Sequence, residues 1–152
     1  MRTFFAFVIF LTAVAGHARD VATFSIVARD PNTKELGLAV ASRFFAVGSV
    51  VPYLEADAGA IATQANANVT YGPRGLELLE RGATADEVLK VLVRGDDNAR
   101  SRQVGIVGAD GSSVTYTGPE CNSWAGGRGR RRPQAERLRR SRWRRTAKGV
   151  PR

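Results

Sequence analysis

Ala22-Thr23-Phe24-Ser25-Ile26-Val27-Ala28, then Asp30-Pro31-Asn32-Thr33-Lys34, then Leu36-Gly37-Leu38-Ala39-Val40-Ala41: these three pieces decide how the chain is read. The first is rich in β-branched and aromatic residues, which suit a pleated strand. The second carries turn chemistry, because proline presets φ and Asp/Asn side chains bond nearby amides. The third is another apolar run, expected as a second, largely buried strand, so that the two form a hairpin. Working outward, Ser49–Glu55 and Gly59–Gln64 are two further strand candidates around Ala56-Asp57-Ala58. None of these runs alternates clearly, which predicts strands covered on both faces.

Downstream the period changes. Pro73 suits the first turn of a helix that carries Leu76, Leu78 and Leu79 and runs to Arg81. Thr84-Ala85-Asp86-Glu87 has the form of a capping box, in which the threonine hydroxyl and the Glu87 carboxylate satisfy two free amides. Val88, Leu89, Val91 and Leu92 follow with helical spacing until Gly95-Asp96-Asp97 ends the helix. Arg102–Val107 and Val114–Thr117 then read as strands joined around the Asp110-Gly111 turn. Strands, two helices and strands again predict an α+β domain with helices packed on a layered sheet.

The two ends differ from this body. Arg2 is followed by the apolar run Phe4–Ala15, broken only by Thr12, and Gly16-His17-Ala18 places small residues at both cleavage-specificity positions. Residues 1–18 are therefore expected to be a signal peptide, and the protein to be exported to a periplasm or the exterior. The run is too short for a stable membrane span, which needs about 20 residues. At the other end, the net charge of +9 on 152 residues proves to be local. Residues 1–125 hold 11 Lys+Arg against 13 Asp+Glu, whereas residues 126–152 hold 12 Lys+Arg against Glu136 alone. The chain is a mildly acidic body with a very basic end.

Residues 127–152 are expected to be a frameshifted or disordered tail. Arg137-Leu138-Arg139-Arg140-Ser141-Arg142-Trp143 can be written in codons as CGG TTA CGC CGT TCA AGG TGG, and reading that choice one base later yields Gly-Tyr-Ala-Val-Gln-Gly. A genuine arm is the alternative. Its arginines would neutralise phosphates and Trp143 would stack on a base, or the arm would hold acidic lipid or cell-wall polymer. A nucleic-acid partner depends wholly on that tail.

The side-chain inventory narrows the chemistry. Cys121 is the only cysteine and His17 the only histidine, the latter in the segment expected to be removed. An internal disulfide, a Ser-His-Asp triad, a Cys-His dyad and a histidine metal site are then all excluded, and neither metal nor cofactor is expected. Gly72-Pro73-Arg74-Gly75 reads as a helix-start turn in preference to an anion site. Asp96-Asp97 reads as a solvated loop, and Cys121 as a buried structural residue.

Several separated motifs carry a family resemblance. Thr23 to Asp30, Leu36 to Gly48, Ala62-Thr63-Gln64-Ala65, Tyr71-Gly72-Pro73-Arg74-Gly75-Leu76, Arg102-Gln103-Val104-Gly105, and Thr117-Gly118 with Cys121 and Trp124-Ala125-Gly126 occur in order. Together they resemble the domain-of-unknown-function family numbered 1028, over about residues 23–126. That family is grouped with N-terminal-nucleophile hydrolases. The resemblance implies a four-layer αββα sandwich over residues 19–126, two antiparallel sheets between helix layers. Its members run on past Trp-Ala-Gly with a histidine and then a Gly-Tyr-Ala-x-Gln-Gly-Asn stretch. Gly127 stands where that histidine would fall, so the domain is expected to be incomplete, or truncated, at its C-terminal end.

The resemblance also implies a site. An N-terminal nucleophile is a first-residue Thr, Ser or Cys whose own α-amine acts as base, which needs no histidine. Thr23 takes the nucleophile's place, Arg43 supplies positive charge, and Asn66 or backbone amides stabilise the oxyanion. An ordinary strand threonine and a structural salt-bridge arginine remain the plain alternatives for the first two. Cleavage after Ala18 leaves Arg19 to Ala22 ahead of Thr23, so a second trimming step is required. The implied function is an exported amide-bond hydrolase acting on a peptide or a cell-envelope amide. The alternative is a non-catalytic exported binding or assembly domain.

Overall fold

The computed structural model describes residues 22–129, so the expected signal peptide and residues 130–152 of the basic end lie outside the described residues. The deciding stretch folds as expected. Strand β1 (Thr23–Arg29) and strand β2 (Leu36–Ser42) pair antiparallel with Thr23 opposite Ser42 and Arg29 opposite Leu36. Between them Asp30 Oδ1 accepts hydrogen bonds from the amides of Asn32 and Thr33, at 2.7 and 2.9 Å. Lys34 closes the turn at φ 68°.

Strands β3 (Pro52–Glu55), β4 (Gly59–Ala65), β5 (Arg102–Gly108) and β6 (Ser113–Thr117) form a second antiparallel sheet in that order. Helices α1 (Tyr71–Glu80) and α2 (Ala85–Arg94) connect β4 to β5 and cover one face of this sheet. Their buried side chains, Tyr71, Leu79, Val88 and Leu92, meet Ile61, Val104 and Ile106 of β4 and β5 in one core. Each such side chain contributes about 1.5–3 kcal/mol by leaving water. The other face of the sheet is covered by the hairpin, β1 lying on β4 and β5 and β2 on β3 and β4. The protein is thus a mixed α+β fold with two sheets and two helices, layered helix, sheet, sheet.

Local chemistry explains the boundaries. Thr84 and Glu87 make the expected capping box: the Glu87 amide donates to Thr84 Oγ1 at 3.4 Å and the Thr84 amide to Glu87 Oε2 at 2.8 Å. Helix α1 starts at Tyr71, which puts Pro73 third in the helix and so in its first turn, as expected. Its missing N–H costs nothing there, because the first four helical amides have no acceptor in the helix. Gly72 and Gly75 let α1 lie close on the sheet. A Cβ on Gly72 would sit 2.1 Å from Cγ of Tyr53, and one on Gly75 2.4 Å from Cδ1 of Ile61.

Three expectations need correction. The strand expected from Ser49 starts only at Pro52, because Ala46 turns left-handed (φ 56°) and Val47–Ser49 coil into a single 3₁₀ turn. Ser49 Oγ seals it by donating to the Ala46 carbonyl at 2.8 Å. Burial on both faces holds for β4, all but its last residue being buried, but not for the hairpin. There the residues alternate, and Phe24 (69% exposed), Ile26 (53% exposed), Ala28, Gly37, Ala39 and Ala41 face outward. No element among the described residues covers that face, and small residues on β2 blur the alternation in the sequence. Asp96, finally, is not solvated: its side chain is 8% exposed and anchors the network described next.

Candidate functional site

Thr23 opens β1 and faces inward, toward the second sheet. Its Oγ1 lies 2.9 Å from Ser42 Oγ, which also accepts the Phe44 amide at 3.0 Å. Beneath it is Gln64, which with Thr63 is one of two buried polar residues on β4. Gln64 Nε2 donates to the Thr23 carbonyl at 3.3 Å and to Gln103 Oε1 at 2.7 Å, while its Oε1 accepts from Ser25 Oγ at 2.7 Å. A fully bonded amide thus pins the start of β1 to β4 and β5, and a buried polar group is tolerable only when satisfied in this way.

A cavity of about 300 Å³ opens beside the Thr23 side chain. Thr23, Gln64, Asn66 and Arg102 contribute its polar lining. Asn66 follows β4 directly and is swung into place by Ala65, a non-glycine residue at φ 64°. Its amide donates to the Ser101 carbonyl at 3.3 Å, and its carbonyl accepts from Arg102 Nη1. The Asn66 side chain is exposed and forms no hydrogen bond with another described residue. Left-handed non-glycine residues cost about 1–2 kcal/mol and gather where a site holds them. Ala65 lines this cavity, and Ala46 directly precedes Val47, which lines it too.

Arg102 was read in the sequence only as the start of a strand. In the structure it makes the least exposed ion pair among the described residues. Its Nε donates to Asp96 Oδ2 at 2.9 Å, with side chains 16% and 8% exposed. Asp96 also accepts from Asn68 Nδ2 and from the Asn98 amide, each at 2.9 Å. Arg102 first, and these two donors after it, hold the Asp96 carboxyl well below the usual carboxylate range. The Tyr71 hydroxyl is buried beside the same carboxylate without a hydrogen bond of ordinary geometry, and burial pushes its pKa well up.

The structure therefore brings Thr23 and Asn66 to one cavity but leaves Arg43 outside it. Arg43 is exposed one residue beyond β2, and the cavity's cation is Arg102. The signal for Gln64 is its position, an amide side chain at the end of the small-residue strand Gly59–Gln64. Cys121 is half-buried, its thiol donating to the Arg102 carbonyl at 3.4 Å. A larger cleft of about 570 Å³ runs between β1 and strands β5 and β6, bounded by Gly126–Gly129. Neither Thr23, Arg43 nor Asn66 lines it, so the smaller cavity is the better candidate although it is the smaller space. Among the described residues no three His, Cys, Asp or Glu side chains gather as a metal site, and no helix is long and apolar enough to cross a membrane.

No curated protein matches the sequence. A solved crystal structure does: a protein from Silicibacter pomeroyi, carrying the DUF1028 family model, superposes with a TM-score of 0.65 at 30% identity. The match covers 68% of this chain and 48% of that one, so the chain spans about half the length of that protein. Residues 23–134 match the model of the family of unknown function DUF1028, which starts at Thr23 and takes in the whole described fold up to its last residue. On that match, the chain belongs to the DUF1028 family.

Proposed function

We propose that this protein is an exported amide-bond hydrolase of the N-terminal-nucleophile type, acting through Thr23. The observation that carries the reading is that Thr23, heading the first strand, and Asn66, following the fourth, line a single cavity. Once Thr23 is the first residue, its α-amine takes the hydroxyl proton and Oγ1 attacks the amide carbonyl carbon. The Asn66 side-chain amide donates to the developing oxyanion. The carbon–nitrogen bond then breaks, the amine leaves with the proton, and water releases the ester so formed. Arg43 supplies its positive charge from outside the cavity. The sandwich of the N-terminal-nucleophile hydrolases is part of the same proposal: the layers helix, sheet, sheet are three of its four.

Ala22 is exposed, so the Ala22–Thr23 bond is open to a second trimming step after signal cleavage. The expected destination is a periplasm or the exterior, and the expected substrate a peptide or cell-envelope amide. Amino-terminal sequencing of the exported protein tests the reading directly. A chain that starts at Thr23 and loses amide hydrolysis on Thr23→Ala supports it; a final form that starts at Arg19 overturns it. The uncovered outer face of the hairpin, with Phe24 and Ile26, favours the second reading, a non-catalytic exported binding or assembly domain.

A further inference from the structure

The cavity beside Thr23 has walls that say which chemical group it admits. Phe44, Val47, Val50 and Val51 form one side, from the segment that follows β2. Ala65 and Ala67 form the other. Phe44 is half exposed and stands at the rim, while Val51 is 3% exposed and belongs to the core. Arg102 is the one charged residue in the lining.

Most of that charge is already paired. Nε and Nη2 of Arg102 donate to the two oxygens of Asp96, at 2.9 and 3.4 Å, and Nη1 donates to the carbonyl of Asn66. All three guanidinium nitrogens are engaged and the net charge of the pair is zero. A carboxylate entering the cavity would shed water to meet a guanidinium whose charge Asp96 already offsets. An ammonium would find no anionic side chain in the lining and would face Arg102 instead. Both are penalised, because a buried charge is tolerated only when it is paired. An apolar group loses nothing, and a space of about 300 Å³ is at the small end of ligand sites, enough for one side-chain-sized group.

We propose that this cavity is the specificity pocket for an uncharged, branched-aliphatic-sized apolar group, carried on the amide whose carbonyl meets Thr23, and that it excludes cationic and anionic groups. The assignment deepens the hydrolase reading and rests on it for the reacting carbonyl. The pocket's preference is separable from turnover, since Thr23→Ala removes the hydroxyl and leaves the apolar walls in place.

The test pairs binding with turnover. The protein trimmed to begin at residue 23 and its Thr23→Ala variant are titrated by calorimetry with the amides of N-acetyl-leucine, N-acetyl-lysine and N-acetyl-aspartate, and the trimmed protein is assayed on the matching p-nitroanilides. The expected result is binding of the leucine amide at least about tenfold tighter than of the other two, in both proteins. Val50→Phe, which fills the pocket, should abolish that margin. Selective leucine binding with no turnover of any anilide supports the pocket and overturns the hydrolase reading. Turnover of all three anilides at similar kcat/KM keeps the hydrolase reading and overturns the pocket. Equal binding of the three amides, or none below about 10 mM, also overturns the pocket. The binding margin in Thr23→Ala decides the matter even if Val50→Phe fails to fold.

Discussion

Replacing Asp96 by alanine tests whether the pairing behind the cavity holds the domain together. The carboxylate accepts from Arg102 Nε, Asn68 Nδ2 and the Asn98 amide, each at 2.9 Å. Without it, a guanidinium 16% exposed keeps only the Asn66 carbonyl, and a partly buried amide loses its acceptor. Removing one member of a buried pair costs about 3–5 kcal/mol, because the survivor is left uncompensated. Asp96 is shielded from direct solvent contact but lies close to the protein surface, where water screens the pair, so the lower end applies: about 3 kcal/mol. Urea denaturation at pH 7 should show the midpoint falling by about 2 M. A cycle with Arg102→Ala should return a coupling of at least about 1 kcal/mol. The pH dependence has a definite sign. The folded carboxyl is held below its unfolded pKa of about 3.9, so its contribution is complete above about pH 5 and is lost as pH falls toward the folded value. The gap between the native protein and the variant should therefore narrow below about pH 4. A loss under about 1 kcal/mol, or a gap that stays constant down to pH 2, would refute the argument.

Other outcomes follow from local geometry. Ala65→Gly relieves a left-handed backbone at an exposed residue, and should raise stability by about 1 kcal/mol and Tm by about 5 °C in a thermal melt. Gly72→Ala puts a methyl 2.1–2.4 Å from three ring atoms of Tyr53 and should cost about 2–3 kcal/mol, whereas Gly37→Ala meets nothing within 4 Å and should change stability by under about 0.5 kcal/mol. Nucleotide sequencing across codons 120–152 should show a shifted frame that continues with a histidine and a Gln-Gly turn. A single open frame would instead make the basic end genuine and put binding to anionic polymers first.

The elements were legible because each rests on local chemistry. Asp30 and Pro31 mark the hairpin, Thr84 and Glu87 cap α2, and the apolar spacing of Val88 and Leu92 gives its buried face. The family resemblance implied two sheets, but which strand joins which was not legible, since that is decided by contacts far apart in sequence, such as Ser25 with Gln64. The site was legible in part. Thr23 and Asn66 came from a family resemblance, and the structure shows them 43 residues apart yet on one cavity. Arg102 was hidden because a basic residue at a strand start is usually a solvated end. Only the fold sets it beside Asp96, whose neighbour Asp97 is exposed and made the pair look like an ordinary loop.

The two-stranded sheet has a consequence for motion. A lone hairpin is marginal in water, and this one has no further strand on either side among the described residues. Its persistence depends on the one face it rests on, through Ser25, Gln64 and the apolar residues between them. Its amides should therefore exchange with solvent earlier than those of β4, whose residues are buried on both sides. One wall of the cavity, from Thr23 through Phe44, travels with that hairpin. The pocket is accordingly a docked state of the chain, and a ligand that fills it should slow exchange across β1 and β2 while leaving the helices unchanged.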